Sequence, residues 1–114
     1  MKFVALAALA AALAVPSALA ASPPTLTALV GPGFNISLKK GTKKVTKLKA
    51  GIYIIKVTDK SDIHNFHVKG PGVNKKTSVK ALGSALWKVT LTKGTYKYLC
   101  DPHPTTMKGS FTVT

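Results

Sequence analysis

The chain is 114 residues long, 46% apolar, and carries 17 basic residues against three acidic ones, a formal net charge of +14. That length accommodates one domain and excludes multidomain enzymes and membrane channels. Every basic residue is Lys and none is Arg. Without the planar Arg fork the chain is poorly equipped to read nucleic-acid bases, so the charge points to solubility and to encounter with anionic partners, and no specific nucleic acid is expected.

Met1-Lys2-Phe3 gives a short basic start, Val4 to Val15 is almost unbroken Ala, Leu and Val, and Ala18-Leu19-Ala20 supplies a small-x-small cleavage pattern. Residues 1–20 therefore read as a secretory signal peptide, with an apolar stretch too short to span a bilayer. Cleavage after Ala20 leaves a domain over residues 21–114 with 16 Lys and three Asp, exported to the periplasm or the extracellular space. Its net charge of +13 keeps copies apart, so a monomer is expected.

The remainder reads as short strands between turn signals. Thr25 to Val30 is an apolar-rich run ended by Gly31-Pro32-Gly33, and Phe34 to Leu38 alternates with period two. Lys39 to Lys49 holds six Lys, with Val45 and Leu48 its only large apolar residues; an exposed edge or loop is expected. Ile52 to Thr58 predicts a strand closed by the polar turn Asp59-Lys60-Ser61-Asp62. Further strands are predicted over Ile63 to Val68, Leu86 to Thr92 (Trp87, Val89 and Leu91 on one face), Thr95 to Cys100 and Ser110 to Thr114, with Val73 to Val79 a short strand or extended connection. No segment after the leader shows a helical apolar period. Seven or eight short strands in about a hundred residues predict an all-β fold, an antiparallel Greek-key β-sandwich. Such a thin core leaves no deep substrate cavity, which moves function to the loops at one end.

An exported protein meets an oxidising compartment where Cys normally pairs, yet this chain has only Cys100. An inert core thiol is one reading; the neighbours point to another. Cys100-Asp101-Pro102-His103-Pro104-Thr105-Thr106-Met107 brings a thiol, an imidazole and a thioether together within eight residues, a soft donor set suited to copper. Pro102 turns the chain after the strand, so His103 can fold back over the sulfur and Met107 can approach from the return strand. Ile63-His64-Asn65-Phe66-His67 offers the second imidazole. Alternation places His64, Phe66 and Val68 inward and Asn65 and His67 outward, which favours His64 as the ligand and leaves His67 as the alternative. Two His, one Cys and a distant Met make the trigonal arrangement of blue-copper electron-transfer sites.

On these residues the chain resembles the cupredoxins, small blue copper proteins such as plastocyanin, pseudoazurin and amicyanin. The matching features are His64-Asn65 after a polar turn, Gly94-x-Tyr96-x-Tyr98-x-Cys100, Cys100-x-Pro102-His103, Met107 and Gly109. The resemblance implies one copper ion cycling between Cu(I) and Cu(II), bound by His64, Cys100 and His103 with Met107 axial. It also makes Asn65 a residue that helps hold the Cys loop. Asp101, where Ser or Thr is common in the family, is expected to place a negative charge beside the metal and lower its potential. Leu99 stands where plastocyanin has a Tyr electron route, which leaves the exposed edge of His103 as the path. Tyr96, Tyr98 and Trp87 are expected in the core.

The function implied is a mobile one-electron carrier that meets a redox protein with an acidic patch through a transient encounter. The alternative is a copper-binding module for delivery or tolerance with no electron-transfer role. An enzyme is not expected: the chain has no Glu, and Met107 stands where zinc hydrolysis needs an open position.

Overall fold

A computed structural model describes residues 22–114; the expected signal peptide lies outside the described residues. Ten strands follow in chain order: β1 (Thr25–Val30), β2 (Ile36–Lys40), β3 (Lys43–Lys44), β4 (Lys47–Leu48), β5 (Gly51–Asp59), β6 (His67–Gly70), β7 (Val73–Lys76), β8 (Gly83–Leu91), β9 (Gly94–Leu99) and β10 (Lys108–Val113). They form two five-stranded sheets, ordered β3-β2-β1-β5-β8 and β4-β10-β9-β6-β7. The all-β sandwich expected from the sequence is observed. No helix among the described residues is long and apolar enough to cross a membrane.

Period-two patterning explains the layering. In β5, Tyr53, Ile55, Val57 and Asp59 are buried while Ile52 and Lys56 face out; in β9, Tyr96 and Tyr98 are buried between exposed Thr95 and Lys97. Leu26, Ala28 and Val30 of β1 meet Phe111 and Val113 of β10 in one core cluster, where each large apolar side chain contributes about 1.5–3 kcal/mol of burial. Tyr96 and Tyr98 are core aromatics as expected, Tyr96 stacking on Phe111 at 5.2 Å and Tyr98 on Phe66 at 5.5 Å. Burial raises the pKa of the Tyr98 phenol. Trp87 is only partly buried against this core.

Three departures from the sequence reading have physical causes. The pairing is mixed: β1 runs parallel to β5 and β4 parallel to β10, while the other pairs are antiparallel. Between β1 and β5 the chain leaves for the opposite sheet, which brings β5 back in the direction of β1. That excursion is the Lys-rich segment. Val45 and Leu48 are buried as it crosses, and each flank pairs for two residues only, β3 on the edge of one sheet and β4 on the edge of the other.

The predicted strand over Ile63 to Val68 starts only at His67. The backbone before it spends its donors elsewhere: Ile63 N–H on Ser61 Oγ, Asn65 N–H on Cys100 Sγ and Phe66 N–H on Thr77 Oγ1. Alternation fails with it, so His64, Asn65 and Phe66 are all buried, Asn65 against expectation. Phe34, expected on the buried face of a strand, precedes β2 and is 63% exposed.

Candidate metal centre

The loops at one end of the sandwich converge. Cys100 follows β9 directly, and the loop from there to β10 is closed by three backbone hydrogen bonds. His103 N–H donates to Cys100 C=O at 3.0 Å, Met107 N–H to His103 C=O at 2.9 Å, and Cys100 N–H to Met107 C=O at 3.0 Å. Two successive turns thus carry His103 back over Cys100 and return Met107 to the strand base, where it is fully buried. His64 arrives from the β5–β6 loop. Gly31, at φ +70°, lets the β1–β2 loop pass so close that a Cβ there would meet Ser61 and the His64 ring.

The donor atoms form a tight triangle. His64 Nδ1 and His103 Nδ1 lie 3.2 Å apart, and Cys100 Sγ lies 3.7 Å from the first and 3.6 Å from the second. A point equidistant from all three sits about 2.0 Å from each, close to the ~2.0–2.3 Å of metal–imidazole and metal–thiolate bonds. His64 Nε2 is buried with no hydrogen-bond partner, so every polar contact of that ring lies within the triangle. A fully buried imidazole whose only polar neighbours are a thiol and another imidazole is poorly satisfied, and a cation at the centre of the three supplies the missing partner. The residues fit a single soft metal ion.

The surroundings hold this arrangement in place. Asn65, 1% exposed, donates from its own N–H to Cys100 Sγ at 3.4 Å and from Nδ2 to Thr77 C=O at 3.1 Å and Asp101 Oδ2 at 2.8 Å; its Oδ1 accepts Asp101 N–H at 2.7 Å. One side chain therefore pins the start of the β7–β8 connection to the residue after the cysteine. His67 stands outside the triangle. Its Nδ1–H donates to Asp101 Oδ1 at 2.8 Å and its Nε2 meets Asn74 Oδ1 at 2.6 Å. Burial alone would raise the Asp101 carboxyl, but the hydrogen bonds from His67 and Asn65 and the charges of His67 and Lys76 hold it below the ordinary carboxylate range. Its charge is engaged away from the donor triangle.

Phe34 is the neighbour that sequence reasoning missed. Its ring meets His64 edge-on at 5.2 Å and His103 at 4.9 Å between centroids, covering both imidazoles while itself facing solvent. The only hint in the sequence is Gly31-Pro32-Gly33, which marks a turn long enough to bring a bulky residue back over the loop end.

The profile of the family described as copper binding proteins, plastocyanin/azurin family, matches residues 26–114. The chain belongs to that family. Among solved structures this cupredoxin is similar to reduced rusticyanin, at 25% identity and TM-score 0.59, covering 79% of this chain and 78% of that one. It is likewise similar to the copper protein rusticyanin in a second structure, at 20% identity and TM-score 0.60 over 79% and 76% of the two chains. A variant amicyanin in its Cu(I) form matches at 21% identity and TM-score 0.52, over 80% and 83%. The likeness at these lower identities concerns the fold. No curated protein matches in sequence. Family membership and the His64, Cys100 and His103 cluster together support one copper ion as the cofactor of this cupredoxin.

Proposed function

We propose that this protein is an exported one-electron carrier, in which His64 Nδ1, His103 Nδ1 and Cys100 Sγ hold copper and the Met107 thioether is a long axial contact. The leader pattern of residues 1–20 supports export to the periplasm or beyond. The observation that carries the reading is the triangle of two imidazoles and one thiol, matched in size to a single ion. Copper bound there supplies one-electron exchange between Cu(I) and Cu(II) with no substrate.

The chain's own residues fit that task. His64 and Cys100 are fully buried, and the hydrogen-bonded loop base fixes His103 and Met107, so the donors keep their places whichever charge the site bears. Asn65 N–H donates to the sulfur and stabilises its anionic form. Phe34 excludes water from the imidazole faces. His103 is the only member of the set that is not fully buried and gives the shortest route to a partner. Surface lysines raise the encounter rate with an acidic redox protein, an effect that salt screens.

The test is to add Cu(II) to the purified protein lacking the leader, record its visible spectrum and follow it by voltammetry. An intense blue thiolate-to-copper band that disappears in Cys100→Ser, with rapid reversible cycling, is expected. A colourless protein that binds zinc equally well overturns the reading, and a blue protein that cycles slowly moves it to copper delivery.

A further inference from the structure

The lysines are unevenly placed, and one group of them lines a groove. The exposed side of the β4-β10-β9-β6-β7 sheet meets the β3 edge of the other sheet at a depression of about 530 Å³. Lys44 of β3, Lys97 of β9 and Lys108 of β10 line it, with Leu99 and Pro104 as apolar lining. Pro104 directly follows His103, so the groove begins at the loop that carries the metal-site imidazole.

The charges here are not compensated. Lys39 faces Lys44, Lys40 faces Lys43 and Lys69 faces Lys97 in directly opposed cross-strand positions, where like charges destabilise pairing. The acids lie elsewhere: Asp59 is buried, Asp62 sits in the turn after β5, and Asp101 is held by His67 and Asn65. The one ion pair among the described residues is that between His67 and Asp101, so no Lys among them is held in an ion pair. Lysines set against one another repel in the free protein, and an anion laid across them relieves that repulsion.

We propose that the Lys44–Lys97–Lys108 groove docks an acidic polypeptide segment of the redox partner and so seats that partner beside His103. The identity of the partner as a redox protein rests on the electron-carrier reading; the groove itself does not. The lining selects the class of ligand. Carboxylates spaced along an extended segment meet the three lysines, and an aliphatic side chain between them covers Leu99 and Pro104. A nucleic acid would find no Arg fork for its bases or phosphates.

The probe is a synthetic peptide of alternating Asp and Leu, titrated into the copper-loaded, reduced protein at low salt while backbone amide NMR shifts are followed. Shifts confined to Lys44–Thr46, Lys97–Leu99 and Lys108–Ser110 are expected. Reversing Lys44, Lys97 and Lys108 to Glu should weaken binding by roughly tenfold or more. Reversing the exposed control lysines Lys56, Lys60 and Lys88, which changes net charge equally, should weaken it by about threefold or less. Equal losses in the two triple variants, or shifts spread over every lysine face, overturn the groove and leave only global charge. Tighter, groove-localised binding of a DNA duplex overturns the choice of ligand. An oxidised aliquot separates the two readings: no blue band with groove-confined shifts removes the electron carrier but keeps the docking site, and a blue band with unlocalised shifts does the reverse.

Discussion

Replacing Asn65 with Ala tests whether the metal-site loop is held by a clamp or merely by the strands on either side. The side chain makes three hydrogen bonds, to Thr77 C=O, Asp101 Oδ2 and Asp101 N–H, from a position 1% exposed. Asp101's carboxylate is 39% exposed, so water can replace its lost partner and that bond is discounted. The Asp101 N–H and the Thr77 carbonyl have less recourse, and a stranded buried group costs about 1–3 kcal/mol. A total loss of ~2–4 kcal/mol follows, a large share of the roughly 5–15 kcal/mol that holds a small domain together. The melting temperature of the metal-free protein should fall by about 10–25 °C, read by Trp87 fluorescence and by urea unfolding. Thr105→Ala, exposed in the same loop, should stay within ~0.5 kcal/mol. A loss below about 1 kcal/mol for Asn65→Ala would show that the loop holds its shape without the clamp.

Phe34→Ala should admit water to the faces of His64 and His103, favour the more highly charged oxidised metal and lower the potential measured by voltammetry; an unchanged potential sinks the shielding role. Gly109→Ala would drive a Cβ into the Tyr98 ring, which is buried and stacked on Phe66, so a loss of ~1–3 kcal/mol is expected by urea unfolding, and a neutral result refutes the tight approach. Asp59 is buried with Oδ2 unpartnered, and burial raises its pKa above 3.8 against the opposing effects of the Ser61 N–H and the His64 charge. A raised carboxyl binds its proton more tightly folded than unfolded, so its ionisation costs stability at neutral pH, and the cost vanishes as pH falls through the folded pKa to below 3.8. Asp59→Asn should therefore be more stable than the parent near neutral pH and lose that advantage in acid; an advantage independent of pH contradicts the assignment.

What the sequence disclosed depended on how local each feature is. The Cys100 to Met107 segment is legible because its donors lie within eight residues and two prolines fix the turn. The sandwich is legible because β8 and β9 alternate apolar and polar residues and turn signals separate the runs. His64 lies inward as alternation predicts, but alternation is not the cause: its segment is a loop whose N–H groups are consumed by Ser61, Cys100 and Thr77, so period two does not govern it. Asn65 is buried for the same cause. The crossing of the Lys-rich segment between sheets was hidden because only Val45 and Leu48 mark it, too few to show a period. Contacts such as Phe34 with His103, or Asp101 with His67, join residues far apart in the chain and leave no local pattern at all.

The fate of Asp101 changes the electrostatic argument about the site. From sequence, a carboxylate next to Cys100 is expected to favour the oxidised metal. In the structure its two oxygens are turned to His67 and Asn65, the first a charged partner whenever that ring is protonated, so the aspartate's field at the donor triangle is weakened. The triangle is left with one anionic donor, the sulfur, and two imidazoles. With a singly charged ion that set is neutral; with a doubly charged ion it carries one net positive charge, where His64 and Cys100 are fully buried and the Phe34 ring lies against both imidazoles. Burial penalises the charged state, and the excess lysines add a screened push in the same direction. The local arrangement thus favours the reduced metal, the opposite of what the bare sequence suggests. Asp101→Asn, which keeps the shape but removes the charge, should consequently move the potential only slightly.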